Sequence, residues 1–394
     1  MRHPKNRGPR LLASLLVTTS LAACGTTATP AEPAPTATPH GYVPGATEAA
    51  EPRPRLVVAD SGSGEVRVLD LLTEDVVELG KVEPPRDVHT DGRFAYLATS
   101  SGVHVVDGGA WTVDHGDHRH YYHADPAMVG AARIGPVDDV HGADWGTALS
   151  GPDGPTAVLD RAVLDDGTVP EPASFEAGPG VPVGDGLVFV VDDSVEVRDL
   201  DGKLLAEPET RCTDPGDATA VESEVAMISC ADGAVIVSEE DGKYRTEHVP
   251  YPEGATEAAG EFAHRRGGAV LAAPAGESGV WVLDTAEPAW SLLDTGPAVA
   301  TTAVGADGPV LALDPGGVLR AFDAETGEEL AEISLFEDAV EQDTPPVIEV
   351  DAERAYVNEA ATRTVYEVDY RDGLRVARTF ELDIAPTHLV ETGR

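Results

Sequence analysis

The 394-residue sequence predicts an all-β protein, a β-propeller of eight four-stranded blades, with seven blades as the alternative. Three observations support this fold class. Apolar segments are short and are separated by turn residues, among them 41 Gly and 31 Pro. A strand-turn-strand unit recurs at intervals of about 40 residues, as propeller blades do. The last residues of the chain supply the strand that the first unit lacks.

Residues 1–23 have the pattern of an export signal. A basic stretch over residues 2–10 precedes an apolar run over residues 11–21, which is too short to span a bilayer, and Cys24 follows two alanines. This arrangement resembles a bacterial lipoprotein signal, which implies cleavage before Cys24 and a diacylglycerol on its thiol. The alternative is an ordinary secretory peptide. We expect an extracytoplasmic protein that is attached to the cell membrane only through this lipid.

Residues 24–54 are rich in Thr, Ala, Pro and Glu and predict an extended spacer between the lipid and a folded domain over residues 55–394. The formal net charge of the chain is -43. Such a surface repels nucleic acid and anionic lipid headgroups and attracts cations and basic partners.

The recurring unit consists of an apolar strand, a tight turn with Asp or Gly, and a second strand that usually ends in Asp. Its eight copies are Arg55–Asp70, Phe94–Asp107, Thr147–Asp160, Leu187–Asp199, Val225–Val237, Ala269–Asp284, Val310–Asp323 and Ala355–Asp369. A short innermost strand is expected before each copy. These strands centre at His89, Val140, Pro182, Thr219, Ala263, Thr301, Ile348 and, for the first blade, His388. A C-terminal strand that closes the first blade would remove an open sheet edge.

Two cysteines remain after Cys24. Cys212 and Cys230 form an even pair in an oxidising compartment, which predicts a disulfide. Two buried thiols are the alternative.

Four histidines fall on predicted innermost strands, which line the central channel of a propeller. They are His89, His141, His264 and His388. Strand alternation places Asp87 beside His89 and Asp139 beside His141, so each carboxylate could orient a metal-bound imidazole. His388, His89 and His141 belong to consecutive blades and are expected to converge, whereas His264 requires a narrow channel. The alternative is that these are hydrogen-bonded packing residues.

The segment from Asp114 to Asp125 contains four of the twelve histidines and three carboxylates. Imidazole and carboxylate are ligands of Zn²⁺, and these spacings let neighbouring side chains converge on one ion. The candidate ligands are Asp114, His115, Asp117, His118, His120 and His123. We expect a flexible loop beside the channel that passes an ion by ligand exchange. The alternative is a solvated, pH-sensitive loop.

From about residue 55 to the C-terminus the chain resembles the AztD-type zinc metallochaperones. The residues that carry the resemblance run from Val105-Val106-Asp107 through Asp114-His115-Gly116-Asp117-His118, with Cys230-Ala231-Asp232-Gly233 and the last blade. The resemblance implies zinc as the cargo and transfer to the solute-binding protein of a zinc ABC transporter in place of catalysis. It assigns ligand roles to Asp114, His115, Asp117 and His118.

The sequence therefore predicts a lipid-anchored, zinc-binding propeller that is not an enzyme. A metal-independent interaction scaffold on the cell surface is the alternative. Catalysis is disfavoured because the four tryptophans lack the repeated docking pattern of quinoprotein dehydrogenases, and no nucleophile-base arrangement is visible. A metal-hydroxide hydrolase is the remaining enzymatic alternative. Imidazole-carboxylate sites also accept copper and nickel.

Overall fold

The computed structural model describes residues 45–115, 118–151, 154–340 and 345–393. The predicted signal peptide, the lipidation site Cys24, most of the predicted spacer and the candidate ligand Asp117 lie outside these ranges. None of the helices within these ranges is long and apolar enough to cross a membrane.

Strands make up most of the described chain. The first seventeen are β1 (Thr47–Ala49), β2 (Arg55–Ala59), β3 (Glu65–Asp70), β4 (Val76–Lys81), β5 (Asp87–Thr90), β6 (Phe94–Thr99), β7 (Gly102–Asp107), β8 (Ala110–Asp114), β9 (Arg119–His123), β10 (Ala127–Ala132), β11 (Asp139–Ala143), β12 (Gly146–Ser150), β13 (Thr156–Asp160), β14 (Ala173–Phe175), β15 (Gly180–Val183), β16 (Gly186–Val191) and β17 (Ser194–Arg198). The others are β18 (Leu204–Ala206), β19 (Ala218–Glu222), β20 (Val225–Cys230), β21 (Gly233–Glu240), β22 (Lys243–Pro250), β23 (Val270–Pro274), β24 (Val280–Asp284), β25 (Ala289–Leu293), β26 (Ala300–Ala303), β27 (Pro309–Leu313), β28 (Val318–Asp323), β29 (Glu329–Ser334), β30 (Ile348–Val350), β31 (Ala355–Glu359), β32 (Thr364–Asp369), β33 (Arg375–Glu381) and β34 (His388–Thr392). A short helix, α1 (Arg161–Asp165), and a 3₁₀ turn at Gly276–Ser278 complete the elements.

In the described ranges, the strands pair into antiparallel sheets that follow the predicted repeat. The sheet orders are β34-β2-β3-β4, β5-β6-β7-β10, β11-β12-β13-β14, β15-β16-β17-β18, β19-β20-β21-β22, β23-β24-β25, β26-β27-β28-β29 and β30-β31-β32-β33. A further three-stranded sheet has the order β1-β9-β8. This all-β arrangement of mostly four-stranded sheets is consistent with a β-propeller.

The C-terminal strand joins the first sheet, as the sequence predicts. β34 pairs with β2, with Thr392 opposite Arg55 and His388 opposite Ala59. The expected strand at Ala263 is reduced to isolated bridges, in which Ala263 pairs with Ala272 and His264 with Ala303. That segment therefore links β23 and β26 without forming a full strand.

Several middle strands, among them β6, β12 and β31, are buried on both faces. All six residues of β6 are buried, and Phe94 and Tyr96 pack in one cluster with Leu149 and Leu159 of the next sheet. A sheet whose two faces are covered by neighbours needs apolar residues at successive positions, which explains the continuous apolar runs in the sequence. Burial at about 25 cal/mol per Å² of apolar area stabilises this packing between sheets.

The disulfide prediction is confirmed, because Cys212 and Cys230 are bonded. The bond joins the segment before β19 to the end of β20. Both cysteines are buried within the apolar cluster between the β15-β16-β17-β18 sheet and the β19-β20-β21-β22 sheet.

For the described residues of the segment from Asp114 to Asp125, which leave out Gly116 and Asp117, the expectation of a flexible loop is wrong. β8 and β9 form a hairpin that lies between β7 and β10 in chain order. β1 pairs with the free edge of β9. The histidine content hid the strand propensity of the aromatic residues in and beside this segment. The buried rings of Trp111 and Tyr122 stack across the hairpin with centroids 5.6 Å apart. β1 itself lies inside the stretch that the composition assigns to the spacer.

Candidate metal centre

Three histidines of the hairpin converge on one point. The ligand nitrogens of His115, His118 and His120 all lie within 4.8 Å of one another, the one set of three or more potential metal ligands this close among the described residues. The Nε2 atoms of His118 and His120 are 3.1 Å apart. Two nitrogens of a tetrahedral zinc site lie about 3.3 Å apart, because each is about 2.0–2.1 Å from the ion. The spacing of this pair therefore suits a bound metal ion.

The hairpin geometry produces this convergence. His118 and His120 are two residues apart at the start of β9, so strand alternation directs them to one face. The backbone N–H of His115 donates to the carbonyl of His118 across the turn, with a nitrogen-oxygen distance of 2.9 Å. The ring centroids of His115 and His118 are stacked at 4.9 Å. A His-x-x-His-x-His spacing thus becomes a three-imidazole cluster because the chain reverses between its first two members.

Glu48 is part of this cluster and was missed by the sequence reasoning. Its Oε1 atom lies 2.8 Å from Nδ1 of His120. A carboxylate accepts hydrogen bonds, so Nδ1 carries the proton and the lone pair of Nε2 faces His118. Metal-bound histidines commonly have such a carboxylate partner. Glu48 lies 72 positions away in a stretch of spacer-like composition, and no local pattern connects it with the histidines.

Two other predicted ligands are not in the cluster. The carboxylate of Asp114 lies 2.6 Å from Nε of Arg119, its partner across the hairpin. His123 is three residues after His120 on β9, and strand alternation turns it to the opposite face.

Arg55 fixes the base of the hairpin. Its buried guanidinium donates from Nη1 to the carbonyls of Gly108 at 2.9 Å, Gly109 at 3.0 Å and Ala124 at 2.9 Å. These carbonyls belong to both legs of the hairpin. Gly109 has φ of +70° and a Cβ there would lie 2.5 Å from the guanidinium, so this close approach requires glycine.

The histidines of the predicted inner strands occupy a different region. His89, His141 and His388 lie on β5, β11 and β34, and His264 lies on the bridged segment. Nε2 of His89 is 3.4 Å from Asp87 Oδ2, and Nε2 of His388 is 3.1 Å from the carbonyl of Arg86. No three of these four histidines form a group with ligand nitrogens within 4.8 Å in the part of the chain that the structure describes.

Burial keeps two of these imidazoles neutral. Burial, with smaller contributions from His89 and His264, lowers the pKa of His141 to about 3. Burial also lowers the pKa of His264 to about 4, against a hydrogen bond with the backbone of Val221. Neutral imidazoles retain the lone pair that a metal ion requires.

Acidic residues surround a cavity of about 570 Å³ beside these histidines. The acidic lining residues are Asp87, Asp138, Asp139, Asp217 and Glu261. Burial and the charges of Asp87 and Asp139 raise the pKa of Glu261. Burial raises the pKa of Asp217 to about 7, against a hydrogen bond from the backbone N–H of Phe262. Five carboxylates against the guanidinium of Arg86 favour cations in this cavity, and the raised pKa of Asp217 keeps that one group partly protonated near pH 7.

Asp138, Asp217 and Glu261 were not selected from the sequence. A signal for all three existed, because Asp138, Asp217 and Glu261 each precede a predicted strand centre by two residues, namely Val140, Thr219 and Ala263. Asp87 has the same position relative to His89. Aligning the inner strands with one another would have shown a recurring acidic residue at this position.

The hairpin and the acidic cavity lie at opposite ends of β5 and β34. Asp87 and His388 begin these strands. Gly92 and Gly393 follow their far ends, where the Gly393 N–H donates to Gly92 O at 2.8 Å and Thr112 Oγ1 of the hairpin donates to Gly393 O at 3.4 Å. At about 3.3 Å per residue, His388 and Gly393 are about 16 Å apart. Direct ligand exchange between the hairpin and His388 is therefore not supported by this arrangement.

Comparisons with known proteins identify the fold. No family model matches the chain, and no curated protein matches its sequence. The crystal structure of AztD from Citrobacter koseri superposes with a TM-score of 0.75 at 17% identity, covering 87% of this chain and 99% of that chain. Apo AztD from Citrobacter koseri gives the same score and identity, covering 87% of this chain and 98% of that chain. The chain has an AztD-type fold, in agreement with the resemblance seen in its sequence.

Proposed function

We propose that this protein is an extracytoplasmic zinc-binding protein that carries Zn²⁺ as cargo and delivers it to the solute-binding protein of an ABC importer, without catalysing a reaction. The observation that carries the proposal is the convergence of His115, His118 and His120, with Glu48 holding His120 in a metal-binding tautomer. The AztD-type fold and the sequence resemblance to zinc metallochaperones support the same assignment.

We propose that the sheets close into a ring of eight blades. The support is the pairing of β34 with β2 and the contacts of β34 with both β5 and β30. In such a ring the inner strands line an axial channel. His89, His141, His264 and His388, with Asp87 and Asp139 as orienting carboxylates, would then form a second metal site in this channel, beside the acidic cavity and separate from the hairpin cluster.

Attachment to the membrane through a lipid on Cys24 belongs to the same proposal. An exposed cluster on an anchored protein can reach a partner in the same compartment. The negative charge of the chain favours cations over anionic ligands.

Zinc titration of the mature protein against a competing chelator, with metal analysis, tests the proposal. We expect one tightly bound ion in the parent and loss of that ion in H118A/H120A. H89A/H141A/H388A should retain it and lose only weaker binding. H248A is the matched control, because His248 of β22 pairs with the carboxylate of Asp232, which precedes β21, and lies outside both groups.

Three outcomes decide between the possibilities. An unchanged affinity in H118A/H120A together with a loss in the triple variant would move the cargo site to the inner strands. A parent that binds no zinc would remove the proposed function and leave the metal-independent scaffold. Delivery is measured as transfer to a purified zinc solute-binding protein in the presence of excess chelator. Transfer that chelator abolishes would argue against direct handover.

A further inference from the structure

We infer that Glu48 is a positioning residue that sets the zinc affinity of the hairpin cluster, and that docking of β1 on β9 controls retention of the metal. The inference rests on the proposed zinc site and assigns its regulation to a strand that precedes the repeated sheets. Glu48 contacts His120 and needs no direct contact with the ion.

The strand register places the Glu48 carboxylate. β1 pairs antiparallel with β9, with Thr47 opposite His123, Glu48 opposite Tyr122 and Ala49 opposite Tyr121. Tyr122 and His120 share a face of β9, because they are two residues apart. His120 is therefore the diagonal neighbour of Glu48 on the same face, within reach of a long side chain. A shift of β1 by one residue would turn Glu48 to the other face.

The hydrogen bond decides which nitrogen of His120 can bind metal. A neutral imidazole has one N–H and one lone pair. With Glu48 accepting from Nδ1, the lone pair is on Nε2, the atom that lies 3.1 Å from Nε2 of His118. Without Glu48, the proton is free to occupy Nε2, and binding a metal ion there first requires a change of tautomer. The loss of such a carboxylate partner typically lowers metal affinity by about 10- to 100-fold.

The docking of β1 is weak enough to be reversible. The strand has three residues, two of them exposed, and in the described chain it pairs only with β9, at an edge of the three-stranded sheet. Ordering a residue opposes docking by about 1–2 kcal/mol, whereas one hydrogen bond returns about 1 kcal/mol. Such edge elements open more readily than a core strand does. A partner that displaces β1 would remove Glu48 from His120 and weaken the hold on the ion.

Two measurements on the full mature chain test the role of Glu48. Long-range ¹H–¹⁵N NMR of the metal-free protein reports the tautomer of His120, and chelator competition reports the dissociation constant for Zn²⁺. We expect a protonated Nδ1 in the parent, mixed tautomers in E48A, and zinc affinity in E48A that is weaker by about 10- to 100-fold. E48Q should retain the tautomer through its amide oxygen and show intermediate affinity. E51Q is the control, since Glu51 is exposed in the same segment.

A second variant separates strand docking from the side chain. T47P/A49P retains Glu48 but prevents strand pairing, because proline removes backbone donors. We expect the same loss of affinity as in E48A. Parent-like affinity in T47P/A49P would exclude control by strand docking. Circular dichroism and thermal unfolding confirm that each variant keeps the repeated sheets folded.

The outcomes distinguish this inference from the proposed function. If the parent binds zinc at the hairpin and E48A has the parent's affinity and tautomer, the inference is overturned and the proposed function remains. If the parent binds no zinc, both are overturned. In the H120A background, E48A should cause no further loss, and an additional loss would show that Glu48 acts through another group.

Discussion

Replacing Asp217 with Asn should stabilise the protein in a pH-dependent way. Burial beside the acidic cavity raises the pKa of Asp217 to about 7 in the folded state, compared with its ordinary value of 3.8. The folded protein therefore binds more protons than the unfolded chain between these pH values. Its free energy of unfolding falls as pH rises through that window. Asn is neutral throughout and can still accept the hydrogen bond from Phe262.

The pKa difference sets the size of the effect. One pKa unit corresponds to about 1.4 kcal/mol, so a shift from 3.8 to about 7 corresponds to at most about 4 kcal/mol. The side chain is partly accessible to solvent in the cavity, which reduces the expected gain to about 1–2 kcal/mol. D217N and the parent should have equal stability near pH 4, and the gain should grow until it reaches a plateau above about pH 7.

Denaturant unfolding of metal-free protein at half-unit pH steps measures this difference. D307N is the matched control because Asp307 is exposed in a turn, and its stability relative to the parent should not follow the same curve. A D217N gain that is constant between pH 4 and 8 would refute the link to Asp217 ionisation. A loss of stability above pH 7 would show that the carboxylate is stabilised by an interaction that outweighs burial.

Two further predictions concern the supports of the fold and of the hairpin. R55Q removes the guanidinium hydrogen bonds to both legs of the hairpin, so the free energy of unfolding should fall by about 3 kcal/mol and zinc affinity should fall with it. The control R245Q removes one side of an exposed ion pair and should change the free energy of unfolding by less than about 1 kcal/mol. Equal effects of the two substitutions would exclude an anchoring role for Arg55. C212A/C230A removes the disulfide that joins two positions 18 residues apart, so the free energy of unfolding in urea should fall by about 3 kcal/mol. The parent protein treated with reductant should lose a similar amount. No loss would mean that the unfolded chain is already constrained in this segment.

Most strand positions could be predicted from the sequence because their signals are local. In Phe94–Thr99 the apolar run reports burial on both faces, and the Asp and Gly residues that follow such runs report the turns. The predicted inner strands at His89, Val140 and His388 all lie in observed strands. The sequence predicts a loop where the hairpin lies, because the four histidines outweigh the aromatic residues that form its buried face.

The sequence by itself determined the repeat of short strands, the place of the C-terminal strand, the disulfide and the two groups of histidines, because each depends on residue type and spacing along the chain. Only the tertiary structure decided which of these histidines converge, since that depends on the reversal of the hairpin between His115 and His118. It also decided that Glu48 meets His120 and that the hairpin and the acidic cavity lie at opposite strand ends. Strand register and direction fix both relations, and neither is encoded in any local pattern of residues.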